Sequence, residues 1–222
     1  MRLRVVRRWN IPFEETISDI SGYGRDQAQA VKGKILARIG EKPAVYLGHG
    51  EMGVAYGLPS GKVLKLTVDR AEVEAMAALR QAVHPNLVQV FDAFFAVDEP
   101  GAPMPHGVGV VVRESVDMTL LEVPEASNIR LVLFDALANA VRGRDRCADM
   151  EAFAKRIAAA GEDLTSIERF ILDGVREGIL ALRGLGVCSA DFGPGNVGLI
   201  SGRPVLFDVG LAVVKGAQVD VV

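Results

Sequence analysis

The chain divides near residue 116 into a part rich in short apolar runs and a part rich in helical spacing, and this division constrains the fold more than any other feature of the sequence. Before residue 116, short apolar runs are separated by Gly, Pro and Asn, a pattern typical of β-strands and turns. After residue 117, apolar residues recur every three to four positions, which indicates α-helices. The sequence therefore predicts an α+β fold, with a β-rich part followed by a helical part.

The same patterns predict the individual elements and three parts of the chain. The predicted strands cover residues 44–47, 54–58, 62–68, 87–96, 107–112, 197–200 and 204–207. The predicted helices cover residues 26–39, 70–83, 129–142, 150–160 and 165–185, with Asp69 as the N-cap of the second. The predicted parts are an N-terminal extension with one helix (1–43), a β-rich domain (44–116) and a helical domain (117–222).

Composition narrows the classes of function. The 222 residues carry a formal net charge of -3, which argues against a nucleic-acid partner held by phosphate attraction. No apolar stretch approaches the roughly 18 residues of a membrane-spanning helix, so no membrane role is expected. The two cysteines, Cys147 and Cys188, are too few for a disulfide framework and fit a reducing compartment, with Cys188 as a small core residue. We therefore expect a cytoplasmic protein.

Three glycines, Gly48, Gly50 and Gly53, lie between the first two predicted strands. Glycine lets backbone N–H groups approach phosphate oxygens, because no Cβ intervenes. A dinucleotide-binding motif would open a helix instead of joining two strands. By itself such a segment is more often an ordinary hairpin turn, so its meaning depends on the residues that follow.

Lys65 lies on the third predicted strand, where its ammonium group could hold nucleotide phosphates. A lysine in this role needs a carboxylate on the next helix to hold it in place. Two residues, Glu72 and Glu74, qualify. A lone lysine on a strand is usually only solvated, so this assignment also needs support from elsewhere in the chain.

Two motifs near the C-terminal end combine acids, an amide and glycines. The first spans residues 191–196 (DFGPGN) directly after the longest predicted helix, and the second spans residues 208–210 (DVG) after a short hairpin. Phosphoryl transfer needs a carboxylate that accepts the proton of the attacking hydroxyl, which predicts this role for Asp191. It also needs hard oxygen ligands for Mg²⁺, which Asn196 and Asp208 would supply.

Taken in order, these motifs resemble those of the protein-kinase superfamily over about residues 44–212. The resemblance implies a two-lobed protein-kinase-like fold, with a β-rich N-lobe and a truncated helical C-lobe, that binds ATP and Mg²⁺ in a cleft. Residues 84–88 (HPNLV) resemble the segment after the glutamate-bearing helix of kinases. Counting back from that segment favours Glu74 as the partner of Lys65 and leaves Glu72 open.

The resemblance also implies how the nucleotide is held. The backbone of Glu114 and Val116 would hydrogen-bond the adenine at the hinge, and Val54 and Val63 would pack on its ring. The full set of predicted nucleotide-binding residues is Gly48, His49, Gly50, Gly53, Val54, Val63, Lys65, Glu114 and Val116. The predicted catalytic residues are Asp191, Lys65 and Glu74.

Several positions depart from the kinase pattern. Ser189-Ala190 stands where kinases carry His-Arg before the catalytic aspartate, and only twelve residues follow Gly210. The chain thus looks like the minimal kinases that some bacteria deliver into the cytoplasm of host cells. We expect apolar surface near the longest helix, covered by an activating protein partner on the truncated C-lobe.

Three functions remain open. The first is a minimal Ser/Thr-type protein kinase that transfers the γ-phosphate of ATP to a hydroxyl of a protein substrate. The second is a small-molecule phosphotransferase of the aminoglycoside or choline kinase type, which residues 203–208 (RPVLFD) resemble. The third is a pseudokinase that acts as a binding module, which the missing His-Arg favours. The HPN segment and the three glycines favour the first.

Overall fold

The computed structural model describes residues 25–49, 52–97, 107–140, 146–160, 164–189, 192–210, 212–214 and 219–222. Its helices within these ranges are α1 (Arg25–Ile39), α2 (Arg70–Leu79), α3 (Ser127–Ala140), α4 (Arg146–Ala159) and α5 (Ser166–Gly184). The strands are β1 (Val45–His49), β2 (Gly53–Gly57), β3 (Val63–Thr67), β4 (Val90–Ala96), β5 (Val108–Arg113), β6 (Met118–Thr119), β7 (Val187–Cys188), β8 (Val197–Ile200), β9 (Arg203–Leu206), β10 (Val213–Val214) and β11 (Asp220–Val221). The predicted α+β class is confirmed, and each predicted helix and strand has a counterpart.

Two compact units make up the chain. Among the described residues, the first comprises 25–73, 90–115 and 219–222, and the second comprises 74–89 and 116–214. The sequence predicted three parts, 1–43, 44–116 and 117–222, and these bounds stay a prediction. Residues 74–89 belong with the helical unit, and the last four residues return to the β-rich one.

A six-stranded sheet forms the first unit, in the order β1-β2-β3-β5-β4-β11. The first five strands pair antiparallel, and β11 pairs parallel with β4. Because successive side chains of a strand point to opposite faces, the register sorts the residues into two sets. On one face, Val31 and Ile35 of α1 pack against the strands and form a hydrophobic core. The other buried residues of this core are Val54, Tyr56, Leu58, Leu64, Leu66, Phe94, Ala96, Val108, Val110 and Val112.

Arg38 near the end of α1 ties this helix to the edge of the sheet. Its Nε lies 2.7 Å from Asp92 Oδ2 on β4, and its Nη2 lies 2.6 Å from Asp220 Oδ2 on β11. The guanidinium group also lies 4.3 Å from the centre of the Phe94 ring. The carboxylates of Asp92 and then Asp220, which accept these bonds, raise the pKa of Arg38 above its usual range.

The opposite face of the sheet receives the start of α2. A Cβ built on Gly109 of β5 would lie 2.4 Å from Val73 Cγ2 and 3.0 Å from Thr67 Cγ2. Only glycine lets the first turn of α2 approach the sheet this closely. Thr67 lies on this face, and so does Lys65, two residues before it. Lys65 is therefore on the face of the sheet that the first turn of α2 approaches.

In the second unit, α5 is the longest helix and packs on β9 of the small sheet β6-β8-β9. Two glycines on one face of α5 permit this contact. A Cβ on Gly174 would lie 2.2 Å from Pro204 Cγ, and one on Gly178 would lie 2.8 Å from Asn86 O. The turn between β8 and β9 consists of Ser201 and Gly202, both with positive φ (51° and 78°), as a two-residue hairpin loop requires.

The two cysteines form a disulfide. Cys147, in the first turn of α4, is bonded to Cys188 at the end of β7, and their Cα atoms lie 4.9 Å apart. Cys188 is buried, as predicted, but the expectation of two reduced thiols is wrong for this structure. Counting cysteines does not reveal proximity, because the two residues are 41 positions apart and only the packing of α4 on β7 brings them together.

The described helices leave large apolar side chains on the surface. Ile167 and Phe170 of α5 are 71% and 57% exposed, and Leu131 and Phe134 of α3 are 68% and 51% exposed. The predicted apolar surface near the long helix is thus present, while a partner that covers it stays a prediction. None of the helices in the described ranges is long and apolar enough to cross a membrane.

Candidate functional site

The predicted glycine-rich segment is the connection of the antiparallel hairpin β1–β2. Gly48 has φ of +151° at an irregularity in the register, and a Cβ on Gly53 would lie 2.2 Å from Leu66 O. Both positions therefore need glycine for reasons of backbone geometry. His49 ends β1, and Gly50 lies outside the described residues. The hairpin is confirmed, and phosphate binding by it stays a prediction.

The connection from β3 to α2 fixes the first turn of the helix. Asp69 caps α2 as predicted, since its Oδ1 accepts a hydrogen bond from Ala71 N at 2.9 Å. The N–H of Asp69 donates to Thr67 Oγ1 at 3.1 Å, and Thr67 Oγ1 donates to Met52 O at 3.2 Å. The side chain of Glu72, three residues after the cap, therefore has a defined position.

Lys65 and Glu72 form an ion pair on the face of the sheet that the first turn of α2 approaches. Lys65 Nζ lies 2.5 Å from Glu72 Oε1, and the side chains are 16% and 2% exposed. Val63 and Val111 on the same face are buried. A charged pair in such apolar surroundings is costly to desolvate and is often no more stable than apolar residues would be. Its presence here therefore favours a functional role.

The partner of the lysine is Glu72, so the preference for Glu74 is corrected. In α2 the buried side chains include Glu72, Ala75, Met76 and Leu79, at helical spacings of three, four and seven. Glu74 is half-buried and two residues away, on a different side of the helix. This spacing is visible in the sequence and could have identified Glu72, whereas the count back from the HPN segment gave the wrong register.

Val54 and Val63 cannot both contact one adenine ring in this sheet. Val54 pairs with Leu66 and lies in the core beneath α1, whereas Val63 shares the opposite face with Lys65. The alternation of side chains along a strand separates them. The neighbour of Val54, Ala55, lies directly opposite Lys65. Ala55 is therefore the β2 residue on the lysine face, and the prediction for Val54 is wrong.

The predicted hinge residues follow β5. Glu114 O accepts a hydrogen bond from Arg113 Nη1 at 3.0 Å, and a carbonyl oxygen can accept a second one. Val116, in the second unit, packs against β8, since a Cβ on Gly198 would lie 3.0 Å from Val116 Cβ. Adenine binding by these two residues stays a prediction.

The hairpin β8–β9 brings together the two predicted magnesium ligands. Phe207 N donates to Asn196 O at 3.1 Å, and Asn196 N donates to Gly193 O at 2.9 Å. Because Asp208 follows Phe207 directly, Asn196 and Asp208 lie at the same end of the hairpin. Both residues are half-buried.

Amide and carboxylate oxygens of this kind fit Mg²⁺. Magnesium is usually bound through one or two protein carboxylates, together with waters and substrate phosphates. In the described part of the chain, no group of three or more His, Cys, Asp and Glu side chains could hold a metal ion by itself. Asn196 and Asp208 supply one amide and one carboxylate oxygen, and magnesium binding by them stays a prediction.

The HPN segment holds this hairpin in place. Asn86 Nδ2 donates to Pro204 O at 2.9 Å, and Leu206 N donates to Asn86 O at 3.0 Å. Val88 N then donates to Leu206 O at 3.0 Å, so residues 86–88 run alongside β9. The role of Asn86 is to position the strand that leads to Asp208.

The predicted catalytic Asp191 lies outside the described residues, but both of its flanks are described. On one side, Ser189 is fully buried and its Oγ donates to Gly210 O at 2.9 Å. On the other side, the ring of Phe192 lies 5.4 Å from the ring of Phe153 on α4. Ser189 thus links the flank of Asp191 to the DVG motif.

Comparison with known proteins adds no family to these observations. No protein-family model matches the chain, and no curated protein matches it. The chemistry of its own residues is therefore what indicates its function.

Proposed function

We propose that this protein is an ATP- and Mg²⁺-dependent phosphotransferase with a two-lobed protein-kinase-like fold, and that it transfers the γ-phosphate of ATP to a hydroxyl of a protein substrate. The observation that carries the proposal is the buried pair of Lys65 and Glu72 on the sheet face next to the glycine-containing hairpin. A lysine held by a carboxylate presents a fixed cation to phosphate oxygens. Asn196 and Asp208, at one end of the hairpin β8–β9, add the second element that this chemistry requires.

Each residue has one role in the proposed reaction. Lys65 would hold the α- and β-phosphates, and Glu72 would hold Lys65. Asn196 and Asp208 would hold Mg²⁺, which neutralises charge on the phosphate oxygens when it is bound. The substrate oxygen forms a bond to the γ-phosphorus, the bond to the β-phosphate oxygen breaks and ADP leaves. The proton of the hydroxyl passes to the carboxylate of Asp191.

Nucleotide binding is the first test. Because a ligand that binds only the native state stabilises it, ATP with Mg²⁺ at a hundredfold excess over Kd should add about 2.7 kcal/mol to the free energy of unfolding. Asp208→Ala should abolish the part that depends on Mg²⁺, and Lys65→Met should weaken binding altogether. Lys62→Met is the matched control, since Lys62 Nζ lies 4.6 Å from the centre of the Phe91 ring. This variant should bind ATP as the wild type does.

Transfer is the second test. Labelled ATP and Mg²⁺ are incubated with the protein and a cell lysate, and label on proteins supports the proposal. Label on small molecules would instead support the aminoglycoside-kinase-like alternative. Asp191→Asn should lose transfer but keep ATP binding, because Asp191 acts on the hydroxyl. Binding of ATP without any transfer by the wild-type protein would indicate a pseudokinase.

A further inference from the structure

Helix α4 holds the predicted catalytic segment on both sides of Asp191. Before Asp191, the disulfide joins Cys147 of α4 to Cys188 of β7. After it, Phe192 packs against Phe153 of the same helix. Cys188 and Phe192 are both buried, so a described residue on each side of Asp191 is attached to the same helix.

The disulfide-bonded Cys188 is also connected to the region of the DVG motif. Cys188 pairs with Val213 in the β7–β10 ladder, and the next residue, Ser189, donates its hydroxyl hydrogen to Gly210 O. A displacement of Cys188 would therefore act on two segments, the one that leads into Asp191 and the one that follows Asp208. These are the segments that the proposed reaction needs in fixed positions, since a misplacement of about 1 Å can cost on the order of a hundredfold in rate.

We propose that the Cys147–Cys188 disulfide is a redox-sensitive lock, which holds β7 and, through Ser189, the DVG motif in place when it is oxidised and releases them when it is reduced. The inference rests on the proposed phosphotransferase activity. Disulfides in cytosolic proteins are usually transient and redox-sensing, because the thiol pool keeps most cysteines reduced. In a cytoplasmic enzyme, this lock would make transfer depend on the local redox state.

The two sulfurs differ in access. Cys147 is half-buried, whereas Cys188 is 4% exposed, so a reductant reaches Cys147 first. A thiolate of a dithiol reductant attacks Cys147 Sγ, the S–S bond breaks and Cys188 leaves as a thiolate that takes up a proton. The second thiol of the reductant then attacks the mixed disulfide and releases Cys147. The reductant ends as a disulfide, and the protein gains two thiols.

The experiment compares the oxidised protein, the protein reduced with dithiothreitol, and Cys147→Ser. We expect two thiols to become alkylated only after reduction. Transfer should fall about tenfold or more on reduction and should return on reoxidation. Cys147→Ser should be slow with or without reductant. Ala148→Ser, an exposed neighbour on α4, is the matched control and should keep both the disulfide and the response to reductant.

Amide hydrogen exchange separates this inference from the proposed activity. Reduction should increase exchange in peptides that cover residues 187–192 and 208–214, and exchange in β2 and β3 should stay unchanged. If exchange increases but neither redox form transfers phosphate, the lock stands and the proposed function fails. If the oxidised protein transfers phosphate and the reduced protein transfers it at the same rate, or if both thiols react with an alkylating reagent before reduction, the lock is refuted.

Discussion

At the scale of single residues, the pair of Lys65 and Glu72 gives the sharpest prediction. Glu72→Ala should lower the free energy of unfolding by roughly 3 kcal/mol, because it leaves a mostly buried lysine without its closest carboxylate. Glu74→Ala should cost less than about 1 kcal/mol, since that residue is half-buried on another side of α2. Urea denaturation of both variants measures the difference.

A second variant separates charge from packing at this site. Lys65→Met combined with Glu72→Leu removes both charges and should recover much of the stability lost in Glu72→Ala, because a buried ion pair can be replaced by apolar residues at little cost. The double variant should nevertheless be inactive if the pair holds phosphates. An unchanged transfer rate in the double variant would contradict the proposed role of both residues.

At the scale of elements, the glycines of α5 determine how the helix meets β9. Gly174→Ala should destabilise the protein by about 1–3 kcal/mol, because its Cβ would lie 2.2 Å from Pro204 Cγ in the native packing. Gly184→Ala, at the end of the same helix, meets no atom within 4 Å and should be neutral or slightly stabilising. Thermal unfolding of the two variants gives the comparison. Equal stability would show that α5 shifts to admit the methyl group.

The capping box at the start of α5 gives a pH-dependent prediction. Thr165 N and Oγ1 each donate to Glu168 Oε2 at 2.9 Å, and these bonds hold the pKa of Glu168 below its usual value. Because the pKa of Glu168 is lower in the folded state, its ionised carboxylate stabilises the fold. This contribution is fully present above the pKa of glutamate in the unfolded chain, about 4.3. It is lost as the pH falls through the pKa of the folded state.

The free energies of unfolding of wild type and Glu168→Gln should therefore differ by a constant amount above about pH 5 and converge below about pH 4. Denaturant titrations across this range measure the difference. Glu177→Gln, at an exposed position of the same helix, is the control. Thr165→Ala should cost about 1 kcal/mol at neutral pH, since it removes the cap. If the difference in free energy of unfolding between wild type and Glu168→Gln grew as the pH fell, the ionised Glu168 would not be the stabilising form.

At the scale of the whole molecule, the disulfide limits the freedom of the unfolded chain. Its two cysteines are 41 positions apart, and closing a loop of this length stabilises the folded state by about 4 kcal/mol. Reduction should therefore lower the free energy of unfolding by about that amount. Denaturation with and without reductant, monitored by circular dichroism, measures the effect. Cys147→Ser should remove the dependence on reductant, and a persistent dependence in that variant would refute the assignment.

Much of the fold was predictable from local patterns. Short apolar runs predicted the main strands and helical spacing predicted the main helices, because one buried face imposes its period on the sequence. Asp69 was recognised as a cap, because its side chain acts on a backbone N–H two residues away. The residues expected to bind magnesium are separated only by a short hairpin, so their proximity also followed from local structure.

The remaining features depend on which segments meet in space. The sequence by itself determined the elements and the hairpins, and it singled out Lys65, Asn196 and Asp208, on which the proposed function rests. Tertiary structure decided that Glu72 and not Glu74 meets the lysine, since the approach of α2 to Gly109 selects which side of the helix faces the sheet. It also paired Cys147 with Cys188 and returned β11 to the first sheet. Such contacts between distant positions leave no periodic pattern, because they depend on packing geometry rather than on neighbouring residues.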